Sequence, residues 1–140
     1  MSRLKNTILC VDDHWNGLLG RKMLLEKNGY RVLEASDGDQ GLKLFHKHAV
    51  DAVVLDYQMP GMNGDVVAAK MKRIKSQVPI MLLSAYAPLP ANKLKSVDTF
   101  LSKSQEPKLL LSSLQDMLTP KPFFQRWLDV WRGRNRAVTP

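Results

Sequence analysis

The run Ala52-Val53-Val54-Leu55 is apolar without a break, stops at Asp56 and passes directly into Tyr57-Gln58-Met59-Pro60-Gly61-Met62-Asn63-Gly64. An apolar run of this length reads as a buried strand, and the proline and glycine after it read as a loop. A carboxylate at the carboxyl end of a buried strand stands where open α/β sheets place their ligands. Ile8-Leu9-Cys10-Val11 repeats the pattern and ends on the pair Asp12-Asp13. In one sheet, these three carboxylates would meet at one edge and need a cation among them.

The rest of the chain alternates in the same way. Strands are expected over residues 7–11, 30–35, 52–56, 79–83 (ending at Ser84) and 99–101 (ending near Lys103). Helices are expected over 14–28, 37–48, 65–75 and 107–118. Gly29 ends the first and Pro107 opens the last. Val67, Met71 and Ile74 share one helical face, as do Leu110, Leu114 and Met117. Gly17 and Gly20 weaken the first helix, and Pro88 and Pro90 shorten any helix before the last strand to roughly 91–96. Strands alternating with helices imply right-handed βαβ units. The expected fold is therefore α/β, a flavodoxin-like doubly wound five-stranded parallel sheet with helices on both faces and its site at the switch point.

A chain of 140 residues fits one domain with an adequate core. No apolar stretch approaches the roughly 18 residues of a membrane span, and no long apolar region follows the amino terminus. The single cysteine, Cys10, lies inside the first strand pattern and reads as a small core residue. A cytoplasmic location is expected. The net charge is +8 and unevenly placed: Lys121, Arg126, Arg132, Arg134 and Arg136 face only Asp129 in the last 22 residues, a net of +4. Pro120 and Pro122 mark the boundary, so a domain over 1–118 and a basic aromatic tail over 119–140 are expected.

Five residues fall at expected strand ends: Asp12, Asp13, Asp56, Ser84 and Lys103. The topology brings those ends to one edge, although the residues are remote in sequence. Hard oxygen ligands with room for water suit Mg²⁺, which screens an anionic nucleophile from an anionic phosphate. A lysine there serves phosphate oxygens as a point charge, and a serine hydroxyl adds a hydrogen bond. Taken singly, each residue has a plainer reading. Asp12-Asp13 could cap a helix, Ser84 could be a strand-end hydroxyl, Phe100 a core residue and Lys103 a solvated charge. Taken together, they favour the acidic site. His14, His46 and His48 read as surface residues, not as a metal set.

The chain resembles the receiver domains of two-component response regulators over about residues 6–118. The resemblance rests on Ile8-Leu9-Cys10-Val11-Asp12-Asp13, on the stretch from Asp51 to Gly64, on Pro79-Ile80-Met81-Leu82-Leu83-Ser84-Ala85 and on Phe100-Leu101-Ser102-Lys103, in that order. It implies that Asp56 is the phosphoacceptor. It also implies that Asp13, Asp56 and the backbone carbonyl of Gln58 ligate Mg²⁺, with Asp12 acting mainly through water. Lys103 would pair with the acyl phosphate, Ser84 would be the switch hydroxyl and Phe100 the switch aromatic, the core reading of Phe100 standing equally. The phosphoryl donor would be a phosphohistidine on a sensor histidine kinase or a histidine phosphotransfer protein. The role implied is signalling through protein–protein contact, not metabolic catalysis.

The chain departs from the family pattern in two places. Ser104 follows Lys103 where the family has proline after a cis bond; a cis bond to a non-proline costs about 2.5–4 kcal/mol, so a trans bond and a rearranged loop are expected. The short gap from Ser84 to Lys103, with its prolines, predicts a truncated or distorted fourth helix. In the tail, Phe123, Phe124, Trp127, Leu128 and Trp131 recur at near-helical spacing, and Gly133 could end that helix. Packing on its own domain and docking to a protein partner are equal readings of it. Contact with a membrane surface ranks below them, and DNA binding last. Two other functions compete with the signalling one. An Mg²⁺-dependent aspartyl-phosphate phosphohydrolase resembling the haloacid dehalogenases would want an acid where Gln58 stands. A phosphorylation-independent binding module would not need the acidic set.

Overall fold

The computed structural model describes residues 5–86, 88–119, 128 and 130–132. Five parallel strands, β1 (Thr7–Val11), β2 (Arg31–Ala35), β3 (Ala52–Asp56), β4 (Ile80–Ser84) and β5 (Thr99–Ser102), stand in the order β2-β1-β3-β4-β5. Four helices join and flank them: α1 (Trp15–Lys27), α2 (Gly38–Lys47), α3 (Gly64–Ile74) and α4 (Pro107–Leu118). The order reverses between β1 and β3, the switch point expected of a doubly wound sheet.

Strand alternation sorts the apolar side chains onto two faces. Leu9, Val11, Val53, Leu55, Ile80 and Leu82 pack with Phe45 of α2 and Val67 and Met71 of α3. Their sequence neighbours Ile8, Cys10, Val54, Met81 and Leu83 pack with Leu18 and Leu25 of α1 and Leu110 and Leu114 of α4. β1, β3 and β4 are buried along their whole length, as continuous apolar runs in a parallel sheet should be. Burial pushes the Cys10 thiol up to about 12, in keeping with an inert core residue.

The expected helices 14–28 and 37–48 each run one residue too far at both ends. His14 and Asn28 cap α1, and Asp37 and His48 cap α2, with Asp37 accepting the Gln40 N–H at 2.7 Å. The third helix begins at Gly64, not Asp65, and stops at Ile74, with Lys75 as its cap. The helix expected over 91–96 is a single 3-10 turn, Ala91–Lys93. Pro90 is held extended at φ −61°, ψ 148°, and the i→i+3 bonds Lys93 to Pro90, Leu94 to Ala91 and Val97 to Leu94 follow it. Asp98 anchors the way into β5: its Oδ2 accepts the Ile80 N–H and the Lys72 ammonium, both at 2.7 Å. In the tail, 128 and 130–132 are helical, and Val130 and Trp131 are exposed. The expectations for Lys121, Phe123, Phe124, Arg126, Trp127, Asp129, Gly133, Arg134 and Arg136 fall outside the described residues.

Candidate functional site

Register explains how distant residues meet. Val11 aligns with Leu55, and Asp56 with Leu83, which in turn aligns with Leu101. Asp12 and Asp56 therefore share a row at the carboxyl edge. Lys103 lies two positions past that row on β5, so a long side chain has to reach back over β4. It does: Nζ stands 2.8 Å from Asp56 Oδ1 and 3.4 Å from Asp12 Oδ2. Period-two alternation puts Asp12, Asp56 and Lys103 on the α1/α4 side of the sheet. The Lys103 backbone N–H is itself held by the Ser84 carbonyl at 2.8 Å.

Asp12 and Asp56 are almost fully buried, while Asp13 is half-buried. Burial pushes the Asp12 carboxyl up, but the His14 backbone N–H, at 2.9 Å, and the Arg21 guanidinium, at 2.7 Å, with help from Lys103, bring it below the usual carboxylate range. Asp56 goes the other way. Burial raises it, Lys103 offsets part of that, and the charge of Asp12 raises it further. Two neighbouring carboxyls thus differ in how readily they ionise because one holds more donors than the other.

One oxygen each from Asp12, Asp13 and Asp56, with a nitrogen of His14, lie within 4.8 Å of one another. Asp13 Oδ1 and Asp56 Oδ2 are buried without a hydrogen-bond partner among the described residues. His14 Nδ1 stands 3.2 Å from Asp13 Oδ1 but out of line for a hydrogen bond. Buried acceptors left without donors call for a cation, and a set of hard carboxylate oxygens suits Mg²⁺. Gln58 follows β3 by two residues with its side chain exposed. The loop that carries it folds back at Gly64, whose N–H donates to the Tyr57 carbonyl at 2.7 Å. A Cβ at Gly64 would collide with the Asp56 carbonyl oxygen and stand 3.0 Å from Tyr57 Cα, so the loop closes only over glycine.

Ser84 and Phe100 sit apart from this group. Ser84 follows Leu82 in strand alternation, on the α2/α3 side. Its hydroxyl is engaged twice by Tyr86, donating to the carbonyl at 2.7 Å and accepting the N–H at 3.0 Å. Phe100 is half-buried against the α2/α3 cluster. Two residues join the site that sequence reasoning did not place there. His14 is exposed, as expected of it, yet its ring abuts both acids. Arg21 holds Asp12. The signal for Arg21 was available: it shares a helical face with Gly17, one turn earlier, which has no side chain to block it.

The family model for the response regulator receiver domain matches residues 8–115. The transcriptional regulatory protein GlrR of Escherichia coli (strain K12) is 29% identical over 121 residues, covering 84% of this chain and 27% of that protein. The response regulator UvrY of the same organism is 33% identical over 115 residues, covering 79% of this chain and 53% of that protein. The chain thus spans about a quarter of the first relative and about half of the second. Among solved structures, the response regulator TrrA of Thermotoga maritima in complex with Mg²⁺-BeF superposes with a TM-score of 0.77 at 32% identity, covering 81% of this chain and 99% of that one. The same protein in complex with the histidine kinase ThkA gives a TM-score of 0.76 at 31% identity over the same shares.

Proposed function

The chain belongs to the response regulator receiver domain family of two-component signalling, and from that premise we propose that Asp56 accepts a phosphoryl group from a phosphohistidine on a sensor kinase or phosphotransfer protein. The observation that carries this reading is the convergence of three carboxylates and Lys103 at one sheet edge, with Lys103 2.8 Å from Asp56. A carboxylate oxygen of Asp56 attacks phosphorus, the phosphorus–nitrogen bond to the donor imidazole breaks, and its electron pair stays with the imidazole. Lys103 holds the other Asp56 oxygen and is close enough for its charge to follow onto the phosphoryl oxygens. Asp13, Asp56 and the Gln58 carbonyl would hold Mg²⁺, with Asp12 acting through water. The ion supplies charge neutralisation at the transferring group.

The reading is of a signalling domain whose output is a contact with another protein. Ser84 is the proposed switch hydroxyl, and its exchange of Tyr86 for the phosphoryl group would release the loop after β4. Phe100 borders the same α2/α3 face and would repack with it. The basic aromatic segment after Leu118, where Val130 and Trp131 are exposed, is the proposed contact with a downstream protein. The direct test is incubation with Mg²⁺ and acetyl phosphate or phosphoramidate, followed by intact-mass measurement. One phosphoryl adduct is expected on wild type and none on Asp56→Asn. An adduct of equal yield on both proteins refutes the assignment.

A further inference from the structure

Arg21 lies two turns along α1 and points back at the acidic edge. Its Nη2 donates at 2.7 Å to Asp12 Oδ2, the same oxygen that Lys103 Nζ approaches at 3.4 Å. The slot it uses is widest with glycine at position 17: a Cβ there would stand 3.2 Å from both Arg21 Nη2 and Asp12 Oδ2, so both groups would have to give by a few tenths of an ångström. Glycine inside a helix costs about 1 kcal/mol relative to alanine, so the opening comes at the expense of local helix preference. The Arg21 side chain is 13% exposed, and its Nη1 is buried without a partner among the described residues. With Lys103 it lines a cavity of about 420 Å³ between α1, β5 and α4 whose walls include Leu24, Leu83, Leu101 and Leu110. A charge as little exposed as this one is screened less than a charge at the open surface, even beside a cavity that admits water.

Counting charge shows what this does. Asp12, Asp13 and Asp56 against Lys103 alone leave −2, which one Mg²⁺ would cancel in the unphosphorylated site. With Arg21 the protein groups come to −1, so the same ion leaves one positive charge in excess. Converting Asp56 to an acyl phosphate of about −2 removes that excess.

We propose that Arg21 is a fixed second cation of the acceptor site, a positioning residue that holds Asp12 and shifts electrical balance from the resting metal-loaded site to the phosphorylated one. The proposal rests on the reading of Asp56 as phosphoacceptor. It makes resting Mg²⁺ affinity lower than the carboxylates alone would give.

The test is calorimetric titration of Mg²⁺ into the full unphosphorylated chain and its Arg21→Met, Arg21→Gln, Leu24→Ala and Asp13→Asn variants, each checked for folding by circular dichroism. Removing one member of a buried pair is destabilising, but Asp12 keeps the His14 N–H and Lys103 as partners; the Met variant preserves the length of the stem, and the Gln variant removes the charge while keeping a donor. Both Arg21 variants are expected to bind Mg²⁺ about tenfold more tightly than wild type. Leu24→Ala, which enlarges the same cavity without changing charge, is expected to keep the wild-type Kd. Wild-type or weaker affinity in both Arg21 variants, or equal tightening in Leu24→Ala, overturns the proposal. If Asp13→Asn abolishes binding while Arg21→Met leaves it unchanged, the proposal alone fails. If no protein binds Mg²⁺, the metal reading fails and takes the proposal with it.

Discussion

Asp56 and Asp12 stand side by side at the sheet edge, yet the fold treats them oppositely. Asp12 receives an N–H and a guanidinium, and its ionised form is favoured. Asp56 has Lys103 as its partner and is otherwise desolvated, so it holds its proton to a higher pH than usual. The consequence for stability has a definite sign. A raised folded-state pKa means that ionising Asp56 costs folding free energy, beginning above the ordinary carboxylate pKa of about 3.9 and complete above the raised value. Asp56→Asn removes that cost. In the absence of divalent ions, the variant should be more stable than wild type at pH 7, and the gap should narrow as pH falls toward 4. Urea denaturation at the two pH values measures it, and a gap that widens on acidification would contradict the account. Asp12 has the opposite slope: its stabilisation is present above about pH 3.9 and is lost as pH falls through its depressed value. Both carboxylates were legible in the sequence because each ends an apolar run. Their inequality was not, because it depends on the His14 N–H and the Arg21 guanidinium both settling on Asp12 and neither on Asp56, and no spacing says which acid gains the donors.

Among the elements, the segment joining β3 to α3 is the most constrained. Gly64 opens α3 directly against the backbone of Asp56 and Tyr57. Its φ is not positive, so the need for glycine comes from crowding, and no change of rotamer at a new side chain relieves it. Gly64→Ala should destabilise the protein by about 3 kcal/mol, since the new Cβ collides with backbone. It should also weaken Mg²⁺ binding by displacing the Gln58 carbonyl. Denaturation midpoints and a Mg²⁺ titration read the two effects separately, and a neutral midpoint would show that the loop can yield. Apolar periodicity predicted every strand and the four helices to within a residue or so at each end. The ends slipped where a cap residue, such as His14 or Asp37, shares the helix's hydrogen bonds without its dihedral angles. The 3-10 turn in place of a fourth crossover helix follows from Pro88 and Pro90, which the sequence displays. Its anchoring through Asp98 to Ile80 and Lys72 brings together residues 18 and 26 apart, and no local pattern announces that.

At the scale of the whole molecule, the described residues form two cores, one on each face of the sheet, and Leu110, Leu114, Met117 and Leu118 of α4 pack into the α1/α4 core. A chain ending at residue 118 keeps all four of these apolar contacts. Removing 119–140 should leave the unfolding free energy from urea denaturation within about 0.5 kcal/mol of the full chain, as for changes away from buried contacts, and should leave acceptance of a phosphoryl group intact. A loss of about 2 kcal/mol or more would instead mean that the segment packs on the domain. The five-stranded doubly wound sheet and the meeting of its strand ends were readable from the alternation of strands and helices, since few topologies satisfy it. The direction in which Ser84 spends its hydroxyl was not, because that is settled by the turn at Tyr86. Lys103 joins these scales. Its backbone is pinned to β4 at Ser84, and its ammonium is pinned to β3 and β1 through Asp56 and Asp12. It works as a tie-rod laid across the sheet, anchoring the edge strand β5 to the middle. Any change in the load on Asp56, a lost proton or an added phosphoryl group, alters the tension in that rod and is felt at the rim of the sheet before any helix has to move.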